Sequence, residues 1–539
     1  MFYRQKSLNY LKGEKLANYS FSNKSNKTDD DISLIEGDIS YRCISKQNNT
    51  CLVINNKSGN ICENVSNLFE NVYSIEKDKK NVLIQENKFR NKKIKNITVI
   101  GSNYLVLPFK DEYFDLVISN GLDLENQSEI FRCFKEVKRV MKSSGCFCFG
   151  GKNKSGFGLS GRRMRRLEKQ TYSESYENYM SIFNKLEFKT RSYLSIGSLT
   201  RPYFISDMDD MVLTKWIFSN IEIFFTLNSK TKLMISIVKK SKTSLKNFLI
   251  KMFIPSFLFY CYKNSIPYSF EDMIKEKTGY SRMIQQMRFN KVAFILFDDM
   301  GNPKKKLLCK RTKINLTDEI VSVGFPPSNE IFKENLLLED WIEGSSPNFN
   351  NLEQVTRVLG WLLDFQLKTS EQIYDLQKIN HETNRINENL HDIGNLNLNQ
   401  INEWLSDYVN QTNKLKVKTT GVHGDFGPHN ILINMDKASV NVIDWETFAK
   451  HGSPFYDIAK TVYHVLTPNS CVDEFVENVK NINNHKSIQV INKMLSEHFQ
   501  NKINLIIILR YYFIKELAMN EKISKPYFIK LLQELAKIY

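Results

Sequence analysis

The stretch Gly421–Ala459, GVHGDFGPHNILINMDKASVNVIDWETFAKHGSPFYDIA, constrains this chain more than any other part of it. His423, Gly424 and Asp425 run together, and Asn430 follows five residues after Asp425. A turn then leads into a short apolar strand ending in Ile443, Asp444, Trp445 and Glu446. Two loop ends beside short strands thus bring two carboxylates and an amide towards one place. Hard oxygen donors of this kind suit Mg2+, which is usually held by one or two protein groups plus substrate phosphates. Asp425 need not touch the metal and could accept a proton from a hydroxyl. That is the division of labour of phosphoryl transfer: one group orients the nucleophile, and an amide and a carboxylate hold the metal. Two unrelated acidic turns are the bland alternative, and the order and spacing of the motifs weigh against it.

With that order and spacing, the stretch resembles the catalytic loop and metal-binding segment of the aminoglycoside phosphotransferase and choline kinase-like family, whose members share a bilobal, protein-kinase-like α+β fold. The resemblance implies Asp425 as catalytic base, Asn430 and Asp444 as Mg2+ ligands and His423 as organiser of the loop. It also implies a structural role for Asp457, in Pro454–Ala459 (PFYDIA). Upstream, Leu307–Lys310 reads as a strand ending in a lysine, similar to the family's phosphate-pairing lysine. A solvent-facing lysine among Lys304–Lys306 and Arg311 is the other reading of Lys310. Leu336–Gly344 (LLLEDWIEG) resembles the hinge between lobes, where the backbone around Glu339, Asp340 and Ile342 would meet the adenine of ATP. Leu359–Thr369 resembles the first large-lobe helix, with Gln366 where many relatives carry histidine. There is one departure. Only Arg311–Asn335 separates Lys310 from the hinge, which is short for the helix whose glutamate pairs with that lysine, and Glu319 is the nearest candidate.

The first half has a different rhythm. Short apolar runs at Cys51–Ile54, Asn71–Ile75, Ile97–Ile100, Phe114–Ser119 and Gly145–Phe149 alternate with mixed helical stretches. That alternation predicts a parallel sheet covered by helices. Leu107–Val117 (LPFKDEYFDLV), followed by Glu136–Lys142 and Gly145, resembles the fourth strand, next helix and fifth strand of class I S-adenosylmethionine-dependent methyltransferases. The expectation is a Rossmann-like α/β domain over residues 45–240, closed by an antiparallel hairpin of Ile221–Leu227 and Leu233–Val238. S-adenosylmethionine is the cofactor the resemblance implies. Its turn after the first strand reads Val53–Gly59 (VINNKSG), with Val53 at the acidic position and Gly59 alone of the family's glycines. Glycine lets backbone approach a cofactor closely, and bulkier side chains replace it here. Glu76, ending the second strand, remains to hold ribose hydroxyls, while Ser102 or Asn103 stands where an aspartate is usual. All eight histidines lie at or beyond His381, so this half has no imidazole for acid–base work. A working methyltransferase and a vestigial scaffold both stay open, the degraded turn favouring the second.

The layout expected is a polar extension at 1–44, the α/β domain at 45–240, an apolar stretch at 241–278, and the phosphotransferase-like domain at 279–539, with a small lobe at 279–338 and a large lobe at 345–539. Within the apolar stretch, Phe248–Tyr262 carries Lys251 and Pro255. It reads as a buried linker or helix, or as an interfacial helix against an anionic membrane. Lys291–Phe297 and Lys306–Lys310 predict a hairpin about Asp298–Pro303. Gly156–Gly161 is a formal G-x-G-x-x-G, but no acid-terminated strand follows ~20 residues on, so a loop is expected. Arg162, Arg163, Arg165 and Arg166 then form a basic face, open to solvent or to an anionic surface.

Composition narrows the partners. The 539 residues carry a net charge of +16, which attracts anions without choosing among them. The nine cysteines are scattered, with no C-x-x-C, which fits a reducing compartment. The polar start lacks an apolar signal core, and no uninterrupted apolar run reaches ~18 residues. A cytoplasmic protein is expected, with peripheral membrane contact left open. No base-reading module is evident, so nucleic acid is not the expected partner. The reading is an ATP- and Mg2+-dependent phosphotransferase acting on a hydroxyl of a small molecule or glycan. A bifunctional methyltransferase–kinase of surface polysaccharide synthesis and a silent scaffold are the alternatives.

Overall fold

The computed structural model describes residues 49–156, 172–197, 202–224, 236–237, 249–252, 254–288, 291–309, 329–333, 336–370, 372–373, 376–390, 397–468, 471–519 and 525–538. The polar extension, Gly158, Gly161, the four arginines from Arg162 to Arg166, Lys310 and Glu319 lie outside them. The described residues form two compact units, one of residues up to 309 with 330–341, the other of residue 329 with those from 342 onward.

The first unit starts as the apolar runs predict. Strands β1 (Thr50–Ile54), β2 (Asn71–Glu76), β3 (Ile97–Gly101), β4 (Phe114–Asn120) and β5 (Met141–Asn153) pair in parallel in the order β3-β2-β1-β4-β5. β1 is buried at every position, as a strand covered on both faces must be. Helices α1 (Asn60–Val65), α2 (Lys79–Asn91) and α3 (Gln127–Val140) make the crossovers. α3 buries Ile130, Cys133, Phe134, Val137 and Val140, an i, i+3, i+4, i+7 stripe, and Asn126 caps it by accepting from the Glu129 N–H.

The closure of this sheet departs from expectation. Ile221–Phe224 end a helix, α5 (Met211–Phe224), rather than opening a hairpin, and 225–235 lie outside the described residues. Leu213, Ile217 and Phe218 of α5 are buried at helical spacing, which overrides the β preference of Ile221 and Ile223. The closing strand is β9 (Ser256–Tyr262), from the stretch read as linker or interfacial helix. It runs antiparallel between β5 and β7 (Lys189–Gly197), buried along its whole length, so this segment is sheet core and not a membrane face. A short apolar run cannot be told from a buried helix by periodicity alone. β6 (Ser173–Glu174) adds two residues beside β5, and α4 (Tyr176–Lys185) leads into β7.

The sheet then continues past the boundary expected between 278 and 279. β8 (Pro202–Asp207) pairs with β7 on one side and with β10 (Arg282–Arg288) on the other, Gln285 facing Ile205. β11 (Lys291–Phe297), β12 (Pro303–Cys309), β13 (Asn329–Lys333) and β14 (Leu336–Asp340) complete fourteen strands among the described residues, ending β10-β11-β12-β14-β13. The β11–β12 hairpin is as predicted, its turn held by Asp298, whose carboxylate accepts from the N–H groups of Met300 and Asn302. Without β8, β10 would present a bare sheet edge. Both faces share their cores across this junction: one joins Cys51 and Val53 to Phe294, Leu307 and Leu338, the other joins Leu52 to Ile284, Ile295 and Phe297. Helix α6 (Phe270–Thr278) spans the same place, Tyr193 donating to Glu271 and Phe270 packing 4.8 Å from Phe294.

The second unit contains α7 (Leu352–Thr369), β15 (Gln372–Ile373), α8 (Leu376–Leu390), α9 (Leu398–Leu415), β16 (Lys418–Val422), β17 (Ile431–Asn434), β18 (Ser439–Val442), β19 (Ala449–Gly452) and α10 (Phe455–Leu466). Helices α11 (Val472–Lys480), α12 (Lys486–Phe499), α13 (Leu505–Met519) and α14 (Lys525–Ile538) follow. One core gathers Leu362 and Phe365 of α7, Val422, Phe426, Ile431, Ile458 and Val462 of α10 and Leu509 of α13. All twelve residues of α10 are buried, including Asp457 and Lys460. Buried charges on such a helix need partners.

Phe204 on β8 packs in the core that β10 and β11 share. Phe204→Ala should cost about 3–5 kcal/mol, and hydrogen exchange should show β10 and β11 losing protection together with β7 and β9. Loss confined to β7–β9 would mean that the two stretches fold separately.

Candidate functional site

The β17–β18 hairpin sets the geometry. Ile431 pairs with Val442, and one step further the Ile443 N–H donates to the Asn430 carbonyl at 2.9 Å. Asn430 and Asp444 therefore leave the same end of one hairpin, Asp444 with a left-handed φ of 64°. The chain after Ile342 is stitched to β17 by paired bonds between Ser345 and Ile433, at 3.0 and 2.8 Å.

The preceding loop is tied down at every turn. His423 is fully buried; its Nδ1 accepts from the Asp425 N–H at 3.2 Å, so Nε2 carries the proton and donates to the Ile443 carbonyl at 3.0 Å. Burial pulls its pKa down to about 4, against the opposing pull of that bond and of Asp425, and the imidazole stays neutral. Trp445 meets its ring edge-on at 4.8 Å. Gly424 takes a φ of 82°, and a Cβ there would lie 2.6 Å from the Thr447 carbonyl, so glycine is required. Asp457, at the start of α10, accepts from the N–H groups of His423 (2.7 Å) and Gly424 (3.1 Å). Burial pushes its pKa up to about 6 although both bonds oppose this.

Asp425 is the centre of the arrangement. Its Oδ1 accepts from Lys460 Nζ at 2.6 Å, and its Oδ2 from Asn430 Nδ2 at 2.9 Å and His429 Nε2 at 3.1 Å. Burial favours the neutral acid, but the His429 hydrogen bond and the Lys460 charge outweigh it and hold the carboxyl well below the usual range. Asn430 spends Nδ2 on Asp425, on its backbone carbonyl as well as its side chain, which leaves Oδ1 to offer a cation. An amide oxygen and the Asp444 carboxylate are hard donors that fit Mg2+. Among the described residues no trio of His, Cys, Asp or Glu forms a metal cluster, so the ion would rest on these two groups and on phosphates. Lys460 and His429 escaped the sequence reading. The signal for Lys460 was its position three residues after Asp457, on the same helical face.

The other expected residues are less concentrated. Glu339 and Asp340 end β14, opposite Lys306 and Lys305 of β12, and Asp340 is ion-paired to Lys305. Ile342 is half-buried at the start of the second unit. Gln366 donates to the Pro454 carbonyl at 2.7 Å, tying α7 to the start of α10.

In the first unit, Gly59 and Glu76 come together but face inward. A Cβ on Gly59, at φ 76°, would lie 2.8 Å from Phe89, so the residue serves the packing of α2. Glu76 has no exposed surface; its Oε1 accepts from the N–H groups of Asn56 (2.6 Å) and Lys57 (2.9 Å) and from Gln85 (2.8 Å). Asn55 and Lys57 hold left-handed φ values of 59° and 36° without being glycine. Lys57 bridges to Asp123 at 2.8 Å, and Asn55 donates to the Gly121 carbonyl at 3.1 Å, so side chains from beyond β1 reach the loop beyond β4. With Oε1 taken by its own loop and Gln85, only Oε2, which is buried and makes no hydrogen bond among the described residues, is left for ribose hydroxyls, and a cofactor would reach it only if the loop opened.

Against known proteins, residues 349–479 match the family described as phosphotransferase enzyme family, and residues 56–149 match the methyltransferase domain family. The second unit therefore carries a phosphotransferase-family domain, and the first a methyltransferase-type domain. No curated protein matches the chain. Among solved structures, the chain is similar to a SAM-dependent methyltransferase from Aquifex aeolicus, at 17% identity and a TM-score of 0.27 over 35% of this chain and 93% of that one. It is also similar to the YcgJ protein of Bacillus subtilis, at 13% identity and a TM-score of 0.26 over 42% and 95%. A third is geranyl diphosphate C-methyltransferase from Streptomyces coelicolor, at 11% identity and a TM-score of 0.26 over 40% and 76%.

Two measurements follow from this geometry. Calorimetric titration of the chain with S-adenosylmethionine should give no binding heat, whereas micromolar affinity would show that the crevice opens. Acid stability is the second. Asp457 holds its proton more tightly folded than unfolded, so its contribution is full below 3.8 and is lost as pH rises through about 6. His423 holds its proton less tightly folded, so its contribution is full above 6.5 and is lost as pH falls through about 4. The two slopes oppose each other. Asp457→Asn is neutral at every pH and removes the first, so urea unfolding followed by circular dichroism should show the variant keeping its stability as pH rises through about 6 while the wild type loses some; an equal loss in both proteins would contradict the buried carboxylate.

Proposed function

We propose that the chain is an ATP- and Mg2+-dependent phosphotransferase acting on a hydroxyl of a small molecule or glycan. The observation that carries the reading is the Asp425–Asn430 hydrogen bond at the hairpin end that also presents Asp444. Asp425, ionised and part-exposed, would receive the acceptor hydroxyl. The hydroxyl oxygen would bond to the γ-phosphorus as the bond from that phosphorus to the β–γ bridging oxygen breaks, ADP would leave, and the hydroxyl proton would pass by way of Asp425 to solvent. Asn430 Oδ1 and Asp444 would hold Mg2+, which supplies charge neutralisation at the phosphates. His423 and Asp457 keep the loop in register. Buried free thiols at Cys51, Cys62, Cys133, Cys146, Cys148 and Cys261 suit a reducing, cytoplasmic setting. No helix among the described residues is long and apolar enough to cross a membrane.

Asp425→Asn should lower ATP turnover by about 10²–10⁴-fold while Mg·ATP still binds; undiminished turnover would refute the base assignment. Asp444→Ala should abolish the Mg2+ dependence of nucleotide binding in calorimetry, and equal affinity with and without the ion in both proteins would contradict the metal assignment.

A further inference from the structure

Helix α10 touches the catalytic loop at two points one turn apart. Asp457 fixes the loop backbone through His423 and Gly424, and Lys460, three residues on, reaches the Asp425 carboxylate itself. The two ends of that ion pair differ in exposure: the lysine side chain is 11% exposed and the aspartate 38%. The ammonium thus lies behind a carboxylate that stays open on its other side. α10 is in turn anchored by Tyr456, which donates to Glu516 of α13. The position of Lys460 is set by the core and not by solvent.

The occupancy of the carboxylate gives this a consequence. An ionised carboxylate offers about four lone-pair directions. Asn430 Nδ2 and His429 Nε2 take the two on Oδ2, and Lys460 Nζ takes one on Oδ1. One direction remains, on Oδ1. We infer that Lys460 is a positioning residue for phosphoryl transfer: it holds Asp425 so that Oδ1, and only Oδ1, is presented to the attacking hydroxyl. The inference rests on the phosphotransferase reading of this site and adds the oxygen that meets the acceptor and the residue that aims it. The bare alternative is that Lys460 merely compensates a buried charge. A compensating lysine would stabilise the fold without selecting a direction. An aiming lysine matters to the rate once nucleotide is bound.

The test uses the full chain and Mg·ATP alone, reading phosphate release to water so that no acceptor need be known. Lys460→Met should lower kcat by about 100-fold, the scale on which a misplacement near 1 Å acts, and leave KM for Mg·ATP close to wild type. Lys460→Arg keeps the charge and should recover at least about a tenth of the wild-type rate, the loss expected from a smaller misplacement. Thermal unfolding of both variants separates rate from stability. If Lys460→Met fails to fold, Lys460→Gln carries the same comparison. Wild-type kcat in folded Lys460→Met or Lys460→Gln, or parallel loss of KM and kcat in Met and Arg alike, would overturn the inference while leaving the phosphotransferase reading in place. A wild-type chain that neither binds nor hydrolyses Mg·ATP would overturn both.

Discussion

Burying Asp457 on a helix with no exposed face is the constraint on which the phosphotransferase site depends. A carboxylate there must be satisfied from within, and the available donors are the backbone N–H groups of His423 and Gly424. Meeting that demand draws the loop onto α10. Lys460 then arrives at Asp425, and the His423 ring spans to Ile443 of the following hairpin. Each member of the set is placed by a neighbour's unmet hydrogen-bonding need, so the loop is rigid without regular secondary structure. Such preorganisation is what electrostatic catalysis asks of a site.

The first unit shows a similar economy at the level of the sheet. Two antiparallel hairpin partners, β7 and β8, and the strand β9 close a parallel methyltransferase-type sheet on one side. The outer edge of β8 then serves as the edge partner of β10. Strands that differ in sequence character thus share two cores, and the β10–β14 stretch gains a covered edge. In the methyltransferase-type domain the loop after β1 is held by its own residues: Glu76 Oε1 by Asn56 and Lys57, and Lys57 by Asp123.

Legibility followed the range of the interactions. β1 and the inner stretches of β2, β4 and β5 were readable because a strand buried on both faces is apolar along the buried run, and β3, which has no buried residue, was readable from its β-branched run Ile97–Ile100. The grouping of Asp425, Asn430, Asp444, His423 and Asp457, as distinct from their roles, was readable because one short stretch holds them all, with spacing imposed by a loop and a tight hairpin. β9 was misread because its six apolar residues, Phe257–Tyr262, look alike in a strand and in a buried helix. Ile221–Phe224 were misread because β-branched residues in isolation favour a strand, while the buried spacing of Leu213, Ile217 and Phe218 had already committed the segment to α5.

The amino-acid sequence by itself determined the gathering of polar residues at Gly421–Ala459 and the α/β character of the first half, because both are written in local pattern: side-chain type, spacing and periodicity. Only tertiary structure decided that β8 would join β10 into one sheet, that Lys57 would reach Asp123 across the ends of β1 and β4, and that Lys460 would reach Asp425. Those outcomes turn on which distant segment satisfies a bare strand edge or a buried charge, and such a choice is made by packing in three dimensions, where residues far apart along the chain compete for the same partner.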